Sequence, residues 1–154
     1  MKMRTTEMLN DAAQGLDTLP AADAARLLAT GQAAAANVVA TASGPIAEGG
    51  LLMADAIRRG GKLVYAAAGS SGLMAAADGM ELSGTFGIPV DRVSILMSGG
   101  LPSDARMPGH TEDDTDEAAQ AAASIQPDDT VITVSASGST PYAVEIARRA
   151  RASR

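Results

Sequence analysis

Two stretches of this 154-residue chain combine the residue types that hold anions. Ala68-Gly69-Ser70-Ser71 and Ser137-Gly138-Ser139-Thr140 repeat one pattern: a small residue, a glycine and two hydroxyls. Each follows a short apolar run, KLVYAAA from Lys62 in the first case and TVITV from Thr130 in the second. Small side chains let a backbone approach a ligand closely, and hydroxyls can donate to it. A helix starting at such a turn adds free N–H groups and the positive end of its dipole. Taken singly, such a turn equally suits a serine-capped helix that binds nothing. The second copy favours a shared anion site, because turns at the carboxyl ends of parallel strands face one crevice. The expected binding residues are Gly69, Ser70, Ser71, Ser137, Gly138, Ser139 and Thr140.

Glu81 in DGMEL and Glu112 in HTEDD are the carboxylates of interest. On residue type alone Glu81 reads as a solvated helix residue. Glu112, followed by Asp113, Asp114, Asp116 and Glu117, reads as the acidic start of a helix. His110 beside that cluster suggests a metal site, but it is the single histidine and the run lacks the glycine of a calcium loop. No cysteine is present either, which removes disulfides, thiolate nucleophiles and Cys-based metal sites. Neither a metal nor a cofactor is expected.

The net charge of −6, with no basic block before the final turn, argues against nucleic acid as a partner. A small phosphorylated ligand stays compatible, since oriented amides and hydroxyls hold phosphate without a basic patch. The start, MKMRTTEMLNDAAQG, lacks the apolar core of a signal peptide, and no later run is long enough to cross a bilayer. The expectation is a cytoplasmic protein with no membrane partner.

The elements that must position these residues follow from the pattern of apolar runs and breakers. Residues 1 to about 17 read as a polar arm. A helix is expected from Thr18 as N-cap, with Pro20 in its first turn and Gly31 as its stop, and a second, alanine-rich helix from Gln32 to about Thr41. Gly44-Pro45 breaks that helix, and a third runs to Arg58-Arg59 before Gly60-Gly61. Then come a buried strand at Leu63, a helix from about Ser71, a second buried strand in RVSILMSGG, and a long loop, LPSDARMPGHTEDD. A helix over Thr115–Ile125, a third strand at Thr130 and a helix from Pro141 complete the order. Alternating strands and helices predict an α/β fold: a three-layer sandwich around a parallel sheet, preceded by N-terminal helices. Three strands make a small sheet, whose last strand is an uncovered edge. Domain limits are expected at 1–44 for the arm and first helices and at 45–154 for the sheet-bearing part. With an aromatic content of 2%, alanine, glycine, leucine, valine and methionine must do the packing, so helices should lie close on the sheet.

In that order TTEMLN with LDTL, GGKLVYAAAGSSG, DGMELSGTFGIP, SILMSGG, HTEDDTDEA and VSASGSTPY resemble the N-acetylmuramic acid 6-phosphate etherases of the sugar isomerase (SIS) domain superfamily. The resemblance covers nearly all of this chain and about the first half of a typical member. It implies a parallel α/β sandwich that is incomplete here, pairing as a homodimer with a phosphorylated amino sugar bound near the subunit interface. It places the sugar phosphate on Ser70, Ser71, Ser137, Ser139 and Thr140. The implied reaction opens the ring, removes the C2 proton, expels D-lactate from C3 and adds water, giving N-acetylglucosamine 6-phosphate. Glu81 then corresponds to the acid for the departing oxygen and Glu112 to the partner of the C2 proton. A non-catalytic SIS module that binds a phosphosugar and regulates a partner is the alternative. Departures from the family pattern are Leu73 and Ser139 where many members have arginine, and Ser83-Gly84 in place of a proline pair.

Overall fold

The computed structural model describes Thr6 and residues 8–153; the first residues of the expected polar arm lie outside the described ones. The chain divides into two compact units, residues 1–51 and 52–154.

In the first unit, short 3₁₀ turns over Asp11–Ala13 and Leu16–Thr18 precede α1 (Ala21–Val39). The expected helix start and stop both move. Thr18 closes a 3₁₀ turn by donating its hydroxyl to the Gly15 carbonyl, and Pro20 takes the cap position of α1. Gly31 does not end the helix. An isolated glycine costs only about 1 kcal/mol against alanine, and the alanines around it carry the helix through, so the two expected helices are one. A 3₁₀ turn at Ala40–Ala42 leads into α2 (Ser43–Arg59), with Gly44 and Pro45 in the first turn, where a missing N–H costs nothing. No residue of α1 is buried.

The second unit carries the sheet. The strands are β1 (Leu63–Ala67), β2 (Val93–Met97) and β3 (Thr130–Val134), all parallel, in the order β2-β1-β3. Leu63 pairs with Val93 on one side and Thr130 on the other, and Ala67 with Met97 and Val134, so all three strands end level. Helices α3 (Gly69–Phe86), α4 (Thr115–Ala122) and α5 (Pro141–Ala152) connect and follow them. β1 is buried along its whole length, and its alternating side chains separate two cores. Leu63, Tyr65 and Ala67 face Ala56 of α2 and Ala75 and Leu82 of α3. Val64 and Ala66, with Ala68 just beyond the strand, face Ala118 and Ala122 of α4 and Tyr142 and Ile146 of α5. The architecture is the expected three-layer α/β sandwich.

β2 was expected to be buried but is only half-buried until Met97, because it is the outer strand on one side as β3 is on the other. Close helix-to-sheet packing is realised at Gly72, where a side chain would press into the Met97 thioether. α3 starts two residues earlier than expected and ends at Gly87, whose left-handed conformation closes the last turn.

Candidate functional site

Because β1 and β3 are neighbours that end level, the two hydroxyl turns leave the same edge of the sheet side by side. In the first turn no side chain caps α3, and its first intrahelical bond runs from the Gly72 N–H to the Ala68 carbonyl. The N–H groups of Gly69, Ser70 and Ser71 therefore have no helical acceptor and lie at the positive end of an 18-residue helix. Ser70 is exposed and Ser71 half-buried.

The second turn is held by its own hydroxyls. Ser135 Oγ lies 2.8 Å from Thr140 Oγ1 and 3.3 Å from Ser137 Oγ, and Ser137 Oγ lies 2.8 Å from Ser139 Oγ. Each hydroxyl can both donate and accept, so this cluster can turn its protons toward an incoming anion without breaking the fold. Ser135 belongs to the cluster but was missed from sequence. Its place in VSASGST, one residue beyond β3 and two before Ser137, was the available signal.

Glu112 lies between the turns. Its carbonyl accepts the Tyr142 N–H from the first turn of α5 at 3.1 Å. Its carboxylate rests against Gly69, whose φ of +58° is open to glycine and where a Cβ would collide with Oε1 of Glu112. The exposed Glu112 thus touches the first residue of α3 and hydrogen-bonds the second residue of α5.

The segment bearing Glu112 is fixed from β2. Ser98, fully buried, donates its Oγ to the Thr111 carbonyl at 2.6 Å. Gly99, at φ +72°, has room for no side chain because Pro108 and Thr111 pack on it. Between them His110 is held at φ 59°, the one non-glycine with positive φ among the described residues, a conformation that costs on the order of 1 kcal/mol. Thr111 Oγ1 is buried with no hydrogen-bond partner among the described residues. No group of three or more histidine, cysteine, aspartate or glutamate side chains disposed to hold a metal occurs among the described residues. No helix among them is long and apolar enough to cross a membrane.

Glu81 is placed elsewhere. It sits on the exposed face of α3, its Oε2 accepting from Thr85 Oγ1 at 3.4 Å, in a shallow depression with Ala77, Met80 and Gly84. It lies twelve residues after Gly69, on the order of 18 Å along the helix. Within one chain the structure brings Glu112 to both hydroxyl turns and leaves Glu81 apart from them.

Comparison with known proteins agrees with this architecture. The SIS domain family matches residues 27–153, and the chain belongs to that family. Among curated relatives, N-acetylmuramic acid 6-phosphate etherases from Symbiobacterium thermophilum, Thermobifida fusca and Deinococcus radiodurans are similar to it. The first is 40% identical over 65% of this chain and 34% of its own length. The second is 36% identical over 95% and 48%, and the third 36% over 97% and 50%. The chain spans about half the length of the curated relatives it matches over most of its own length.

Proposed function

We propose that this chain acts on a phosphorylated amino sugar as an etherase-type carbon–oxygen lyase, cleaving the D-lactyl ether of N-acetylmuramic acid 6-phosphate in cell-wall sugar recycling. The observation that carries this reading is the convergence of the two hydroxyl turns on Glu112 at one sheet edge. In this reading Gly69, Ser70 and Ser71 offer N–H and hydroxyl donors to the phosphate from one side. Ser137, Gly138, Ser139 and Thr140 do so from the other. Glu112 takes the proton from C2, and the electron pair left there expels the C3 oxygen. Glu81 protonates that oxygen as D-lactate leaves, and water then adds to the resulting double bond. The domain that does this is residues 45–154, working in the cytoplasm without metal or cofactor.

The distance of Glu81 from Glu112 along one chain requires a second copy if both carboxylates serve one sugar. The exposed Leu73, Met74 and Met80 on α3 near Glu81 support such a homodimer. The same distance favours the alternative reading if the chain stays alone: a module that binds the phosphosugar without cleaving it. Lactate release measured beside thermal stabilisation by the phosphosugar separates the two. The lyase reading expects both signals, with Glu81→Gln abolishing lactate release while keeping the stabilisation, because the phosphate contacts lie elsewhere. Stabilisation without lactate would favour the binding module, and neither signal would remove both readings.

A further inference from the structure

We propose that Glu117, on α4, is a positioning residue for Glu112, acting through Ser98 and Gly99 at the end of β2. The proposal rests on Glu112 being the working carboxylate of the site. Glu117 is half-buried, with no cation within ion-pair distance among the described residues, so solvation of a surface helix does not account for it. Its Oε1 accepts the Gly99 N–H at 2.8 Å, and its Oε2 lies 3.1 Å from Ser98 Oγ. A serine has one hydroxyl proton, and here two acceptors compete for it. The Thr111 carbonyl at 2.6 Å is the shorter contact, so the firm hold of Glu117 is the charge-assisted bond to Gly99.

What that bond fixes is the far end of the loop. With Gly99 held, its face against Pro108 and Thr111 is set, and Ser98 clamps the Thr111 carbonyl beside it. Thr111 is the residue before Glu112, and the strained His110 precedes it. The Glu112 carbonyl then meets the Tyr142 N–H, and its carboxylate meets Gly69. Glu117 lies in the first turn of α4, whose cap Asp114 accepts the Glu117 N–H on Oδ1 at 2.8 Å and stands two residues after Glu112. The chain therefore closes a ring from Glu117 through Gly99, Ser98 and Thr111 to Glu112. Tyr142, buried behind it, has its phenol pushed up to about 12 by that burial and then by the Glu117 charge.

The test uses the full chain with Glu117→Ala and Glu117→Gln, read by amide hydrogen exchange and by lactate release. Glu117→Ala is expected to expose the Gly99 amide and, several links away, the Tyr142 amide. The Lys62 amide, held at the opposite end of the sheet, keeps its protection. Turnover should fall about 10²-fold, the cost of misplacing a reacting group by about an ångström. Thermal stabilisation by N-acetylmuramic acid 6-phosphate should persist, and Glu117→Gln, which keeps an acceptor oxygen for Gly99, should recover most of the turnover. Should Glu117→Ala fail to fold, Ser98→Ala cuts the same ring at its next link, and the same loss of Tyr142 protection is expected. A folded variant with unchanged Tyr142 protection, or unchanged turnover, overturns the proposal. Absence of lactate release in the wild-type chain would strike the lyase reading alone, and the exchange at Tyr142 would still decide the positioning role.

Discussion

The two ends of the sheet use similar polar residues for opposite purposes. At the amino end Asp129 is buried, and its two carboxylate oxygens accept the N–H groups of Lys62 and Gln126, each at 2.8 Å. Thr130 Oγ1 donates to the Leu52 carbonyl, and the Thr130 N–H to that of Lys62. These polar groups are matched to backbone partners and tie the starts of β1 and β3 together. At the carboxyl end the hydroxyls of Ser135, Ser137, Ser139 and Thr140 pair mainly with one another, with one long backbone contact from the Ser139 N–H to Ser137 Oγ at 3.3 Å, and Thr111 Oγ1 has no partner among the described residues. The N–H groups of Gly69, Ser70 and Ser71 have no helical acceptor there. Where backbone partners satisfy a polar group, it stabilises the fold. Where hydroxyls satisfy each other, they can exchange that partner for a ligand at little cost.

The largest effect that could break this contrast lies at the amino end. Asp129→Ala leaves the Lys62 and Gln126 N–H groups without their carboxylate partner and empties a buried position, and should destabilise the chain by about 2 kcal/mol, measured by denaturant unfolding. Ser71→Ala, at the other end, should change stability by no more than about 0.5 kcal/mol. Equal losses would show that both ends serve stability alike.

A smaller effect concerns the tyrosines, the only two in the chain. Burial, and then a hydrogen bond to Asp78 and its charge, push the Tyr65 phenol well above its ordinary value of 10.0. Burial and then Glu117 push Tyr142 up from 10.0 to about 12. A phenol raised in the folded state keeps its proton longer there than in the unfolded chain. Stability is therefore full below about pH 10 and falls as pH rises toward 12, by about 2 kcal/mol for a shift of the Tyr142 size. Absorbance at 295 nm should show little tyrosinate in the folded chain at pH 11, about a tenth of Tyr142 being ionised there. Titration near pH 10 without unfolding would place the phenols in solvent and sever Tyr142 from Glu117.

Much of this fold was legible because its signals are local. Leu63, Thr130 and Pro141 begin their elements where the apolar runs and breakers place them, and the repeated glycine–hydroxyl pattern marks both turns. Misplaced boundaries came from residues whose local preference was outvoted. Gly31 lies in an alanine run that sustains the helix, and Thr18 found a nearer carbonyl at Gly15. In the site, the convergence of Glu112 on Gly69 and Tyr142 was not readable, since it joins residues 43 and 30 positions away through packing. For the same reason Glu117 looked like one more acid at a helix start. Only the fold brings it to Ser98 and Gly99.

The central claim is that the two hydroxyl turns form one phosphosugar site. Amide chemical shifts followed during titration with N-acetylmuramic acid 6-phosphate test it most directly. The account predicts that Gly69, Ser70 and Ser71 move together with Ser137, Gly138, Ser139 and Thr140 along a single binding curve, while Lys62 and Gln126 stay in place. Movement of one turn alone, of the two turns with different affinities, or of the amino end instead would contradict it.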